Sequence, residues 1–145
     1  SRIQLSFTTT TFTATAEVYR APFGGYPRYD DAGGFIPPTP SYPPGPPWVL
    51  TAVTASGQTD EPSSRDAWSY VAFLKNAAGA VSTVSNQTAA TTNYALGDVS
   101  NGVTAGSGDN QVTDVDVSLL GAHYGISGSA ITTSGVRARL RFTSS

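Results

Sequence analysis

The chain has 145 residues, a net charge of −2, and apolar and charged shares of 39 % and 12 %. That is room for one ordinary domain or a small domain with an appendage, and it lacks the high charge of a disordered chain. The small net charge and the absence of a basic, aromatic-interleaved patch argue against nucleic acid, no apolar run is long enough for a membrane helix, and cysteine is absent. Thr and Ser take the place of charge, and the stiff branched Cβ of Thr suits strands, so the composition points to a mainly β chain.

In chain order, Ile3, Leu5 and Phe7 alternate with polar residues, the period-2 pattern of a half-buried strand. Thr13–Arg20 reads as a second strand, ending at Ala21-Pro22. Residues 22–47 form a Pro-rich excursion with seven prolines between Pro37 and Pro47, a density that excludes a central strand and favours a rigid extended loop. Its aromatic residues (Phe23, Tyr26, Tyr29, Phe35 and Tyr42, with Trp48 just beyond) suggest that it packs on its own domain. Trp48–Thr54 reads as a short strand and 57–65, with Pro62, as a turn. Ala67–Lys75 and Ala80–Ser85 read as a hairpin joined by Asn76-Ala77-Ala78-Gly79. Residues 86–97 read as a polar connector.

In the first strand of this hairpin Trp68, Tyr70, Ala72 and Leu74 share one face, and Val71 and Phe73 share the other. The second face therefore needs a cover, expected from residues 112–126. From 98 to 125 the chain becomes acidic and Gly-rich and ends in an apolar helical patch. A Ser/Gly leader follows, and then Val136–Phe142. Here Val136, Ala138, Leu140 and Phe142 share one face, with Arg137, Arg139 and Arg141 on the other. This segment is expected to act as an assembly strand that completes a sheet next to Ile3–Phe7 of a neighbouring copy, the alternative being the last strand of its own domain.

The run Trp68–Ser85, with its aromatic, its Tyr, its alternating small apolar residues and its Asn-Ala-Ala-Gly turn, resembles the last hairpin of a fibronectin type III domain. Ala16–Arg20 resembles that family's middle strand and Ile3–Phe7 the strand before it. The resemblance implies an immunoglobulin-like β-sandwich over 1–93, with the excursion as an insertion. It also implies that Tyr70 is a corner residue whose hydroxyl ties its strand to the preceding connection. With Ser1 almost at the start of the second strand, the first strand's place is expected to be open.

Residues 97–125 resemble a type I dockerin repeat, an EF-hand-like calcium loop followed by a short helix. The match places Asp98 at position 1, Ser100 at 3, Asp109 at 5, the Gln111 carbonyl at 7, Thr113 at 9 and Asp116 at 12, with 101–108 as an insertion. The resemblance implies calcium, a hard cation that takes six to eight oxygens. A solvated acidic loop is the alternative for these aspartates. Residues 126–145 complete the expected order as linker and C-terminal β-strand.

The sole histidine, His123, lies near the helix end, where a surface or packing role is expected; no nucleophile-elbow sequence accompanies it. Asn86-Gln87-Thr88 fits the glycosylation sequon. The expectation is a non-enzymatic extracellular structural module that binds calcium and self-associates into a filament or surface assembly by strand donation. The alternative is a spacer or tethering module of a larger secreted enzyme or adhesin. A cohesin-type partner goes with that alternative, set against one repeat where dockerins carry two.

Overall fold

A computed structural model describes residues 2–9, 14–24, 35–104, 108–122 and 124. Its described residues form two compact units, one up to Asn93 and one from Tyr94 on. The expected assembly strand Val136–Phe142 and His123 lie outside the described residues.

The first unit holds two antiparallel sheets. One pairs β1 (Ile3–Gln4) with β4 (Thr59–Asp60). The other has the order β3 (Val49–Leu50), β2 (Thr15–Pro22), β5 (Ala67–Lys75), β6 (Thr91–Thr92). The pairing of β2 with β5 is its spine, running in register from Thr15 opposite Lys75 to Pro22 opposite Trp68. The chain is thus mainly β, as its composition predicts.

Strand alternation decides what each face buries. Ala16 and Val18 of β2 and Trp68 and Tyr70 of β5 point toward the smaller sheet, where they meet Ile3, Leu5 and Val53 in one core cluster. Ala72 and Leu74 are half-buried against the same cluster, so the expected inner face is the observed one. Tyr19 and Ala21 of β2 and Val71 and Phe73 of β5 form a second cluster with Trp48 on the opposite face.

On that second face lies the described part of the Pro-rich excursion, which its aromatic residues led us to expect to pack on its own domain. Tyr42 meets Phe73 edge-on with ring centroids 5.3 Å apart, and Tyr19 of β2 does so at 6.0 Å. Pro37 is fully buried, and its carbonyl accepts a bond from the Gln87 amide at 3.0 Å. The Trp48 indole N–H donates to the Pro38 carbonyl at 3.1 Å. Prolines suit this layer because they lack the N–H groups that an unpaired segment on an apolar face would leave unbonded.

Two readings are revised. The stretch read as a turn over 57–65 contains β4. Its pairing with β1 continues past the strand ends: the Leu5 N–H donates to the Gln58 carbonyl, the Gly57 N–H to the Leu5 carbonyl, and the Phe7 N–H to the Ser56 hydroxyl. The hairpin after β5 has the expected turn, in which Gly79 takes φ 83° and the Asn76 side chain accepts from the Ala78 and Ala80 N–H groups. Its second arm is no regular strand beyond one bridge, Lys75 to Val81.

A ladder with three residues opposite every two replaces that arm. The N–H groups of Ser82, Ser85 and Thr88 donate to the carbonyls of Leu74, Ala72 and Tyr70. In return the N–H groups of Leu74, Ala72 and Tyr70 donate to the hydroxyls of Ser82, Ser85 and Thr88, at 2.9–3.0 Å. The side-chain oxygen takes the part of a strand carbonyl. The series reaches Thr91 of β6, which pairs opposite Trp68.

Candidate metal centre

The second unit contains the acidic loop and α1 (Asp114–Ala122). The helix starts where the loop's position 10 was placed, with Thr113 just before it. Thr113 has the residue type of an N-cap, and Asp116 stands three residues later, the spacing of a capping box. One arm of that box is made: the Thr113 N–H donates to Asp116 Oδ2 at 2.8 Å. Asp114 and Asp116 also put negative charge in the first turn, where the helix dipole favours it.

Asp116 is buried and does more than cap. Its Oδ1 accepts from the N–H groups of Val99, at 2.7 Å, and Ser100, at 2.9 Å, on the far arm of the loop. Asp98 is buried too, and bonds in the opposite sense. Its Oδ1 accepts from the Asp109 N–H at 3.0 Å and its Oδ2 from the Asn110 N–H at 2.6 Å. The carboxylates at positions 1 and 12 thus tie the two halves of the loop across the insertion. Gly108 packs so close to the Asp98 carboxylate that a Cβ there would overlap it. Val99, between the tied residues, is fully buried.

Asn110 falls at position 6. It has φ 70°, the one non-Gly residue described with a positive φ. An EF-hand loop makes its sharp turn at that place, usually with Gly, and Asn is one of the few other residues that tolerate the left-handed region. The residue type at position 6 by itself carries this signal.

The remaining expected ligands stand differently. Asp109 is exposed, and its Oδ1 accepts from the Gln111 N–H at 2.9 Å, a local turn. Ser100 is buried, with its hydroxyl accepting from the Gly102 N–H at 3.0 Å. The Thr113 hydroxyl donates to Asp116 Oδ2 at 3.3 Å, and Gln111 is exposed. Among the described residues no three Asp, Glu, His or Cys side chains gather into a metal-holding group. The donor set is nonetheless all oxygen, as a hard cation requires, and its first and last carboxylates are already buried.

The Thr113 backbone N–H is the chief reason that Asp116 titrates at about 2, below the ordinary carboxylate value. Burial opposes it, and the N–H groups of Ser100 and Val99 and the Thr113 hydroxyl add to it. Asp116 therefore stays ionised at neutral pH.

The chain matches no protein-family model, no curated protein and no solved structure. Among the described residues no helix is long and apolar enough to cross a membrane.

Proposed function

We propose that this protein is a non-enzymatic extracellular structural module. In this reading a fibronectin type III-like sandwich carries a dockerin-like calcium loop, and copies associate through the C-terminal strand. The observation that carries the calcium part is the closed loop. Buried carboxylates at positions 1 and 12, a left-handed residue at position 6 and a helix opening at position 10 recur together in the order an EF-hand requires.

Calcium would be held by Asp98, Asp109 and Asp116, with the Ser100 and Thr113 hydroxyls and the Gln111 carbonyl completing the oxygen set. The ion would neutralise a loop whose carboxylates otherwise repel each other. Asp98 and Asp116 hold the frame with or without it, because backbone N–H groups already bond them. Asp109 is the ligand with the least structural duty, so it separates binding from folding. The extra loop residues make ordering costly, which suits the weak end of the EF-hand range, roughly 10⁻⁴ to 10⁻³ M, typical of extracellular modules.

Melting in calcium and in chelator tests the reading. At saturation near a hundredfold the dissociation constant, calcium should stabilise the loop unit by about 2.7 kcal/mol. Asp109→Ala should abolish that increment and leave the chelator curve close to wild type. An unchanged melting curve for the wild type on adding calcium to chelated protein would refute the assignment.

A further inference from the structure

Beside the core of the first unit lies an open groove of about 700 Å³. One wall is the segment Leu5 to Thr9, the other Ser82 to Asn86, and Tyr70, Ala72 and Leu74 of β5 lie on its floor. The floor is apolar because it is the flank of the core cluster itself.

The first wall continues β1 as a hydrogen-bonded segment along the chain that leads into β4. Leu5 and Phe7 direct their backbone groups to the β4 side, through Gln58, Gly57 and Ser56. Antiparallel pairing alternates sides, so Gln4, Ser6 and Thr8 present N–H and C=O groups on the opposite side. Ser6 and Thr8 line the groove. An edge of this kind beside an apolar trough is the setting for strand addition: the backbone supplies hydrogen bonds and the trough takes alternate side chains.

We infer that this groove is the acceptor for Val136–Phe142 of a second copy of the chain, which enters as an added strand along Ser6 and Thr8. The inference rests on the self-association reading and gives it a site. Val136–Phe142 has the chemistry that the groove asks for: apolar residues at every second position, facing the trough, and arginines between them, facing water. At roughly 3.4 Å per residue its seven residues span the five-residue wall from Leu5 to Thr9 with about one residue to spare at each end. The acceptor edge and the donor segment sit on opposite sides of the loop-and-helix unit in the sequence. Copies joined through them run head to tail, and such heterologous contacts form open chains unless the rotation closes a ring.

The chain has no cysteine, so disulfide trapping is clean. Ser6→Cys protein would be mixed with full chains that carry Arg137→Cys, Arg139→Cys or Arg141→Cys and then mildly oxidised. At least one pairing should give a covalent heterodimer on a non-reducing gel, whereas Glu61→Cys, on an exposed site away from the groove, should give none. The matching double variant should give a ladder of multimers. Closure within one chain, with no ladder, would overturn the assignment to a second copy.

Sedimentation of the wild type separates the two ideas. If the chain self-associates but Ser6→Cys traps nothing, the groove is not the acceptor and the self-association reading survives. If it stays monomeric at every concentration, that reading falls and takes the inference with it. Ser6→Pro provides a check without cysteine. It removes one edge N–H from an exposed position and should weaken self-association at least tenfold with an unchanged circular dichroism spectrum.

Discussion

A single carboxylate, Asp60, shows how much one buried residue can organise. Its Oδ1 pairs with the Arg20 guanidinium at 2.6 Å, and its Oδ2 accepts from the Tyr70 hydroxyl at 3.0 Å. Arg20 also lies over the Trp68 ring, 5.3 Å from its centroid. Burial, and then the charge of Asp60, push the Tyr70 pKa up, and Arg20 opposes them, so the hydroxyl remains a donor. Tyr70→Phe should therefore cost roughly 1.5–3 kcal/mol in denaturant unfolding, the range for a hydrogen bond to a charged group. An effect near zero would show that the hydroxyl was equally well solvated in the unfolded chain. Asp116 supports a pH prediction. Its folded pKa, about 2, lies below the ordinary 3.8, so its contribution is complete above pH 3.8 and is lost as pH falls through 2. In chelator, the helix band of circular dichroism should weaken across that interval, and Asp116→Asn should remove the pH dependence in that window.

At the scale of elements, the arm after β5 shows a sequence period that had no place in the strand-or-helix alternatives. Ser82, Ser85, Thr88 and Thr91 recur every three residues, and each of the first three bonds β5 through both its N–H and its hydroxyl. The hydroxyl makes the pairing possible: with three residues facing two, a backbone carbonyl is not available at each step. Ser85→Ala should leave the Ala72 N–H without its acceptor and cost about 1 kcal/mol. Ser85→Thr should retain the bond and most of the stability. If both substitutions were silent in thermal unfolding, the hydroxyl would be contributing nothing that water does not replace.

For the molecule as a whole, the important fact is that β2 and β5 are buried on both faces. A sheet with one wet face can lose a loop cheaply, but here residues 35–47 of the Pro-rich excursion pack onto the second face. Trp48 is its anchor, buried and hydrogen-bonded at the indole N–H. Trp48→Ala should cost about 3–5 kcal/mol, as large-to-small changes in cores do, and should expose Val71 and Phe73 to hydrophobic dyes. A loss below 1 kcal/mol would mark the excursion as a separable loop.

Sequence by itself determined the local terms. Alternation in Ile3–Phe7 and Trp68–Leu74 set which side chains face the core, because strand geometry has period two whatever the strand meets. Asn76 and Gly79 set the turn, because few other residues suit its dihedrals. The resemblance of 97–125 to a calcium loop singled out Asp98 and Asp116, and the bonds that bury both against backbone N–H groups came from the fold. Tertiary structure alone decided the partners. Thr59 and Asp60 became a strand only because Ile3 and Gln4 offered an edge distant in sequence, and no periodicity marks a two-residue strand. Trp48 and Tyr42 came to lie over Val71 and Phe73 through the fold, because an apolar face states that it must be buried and not by which segment.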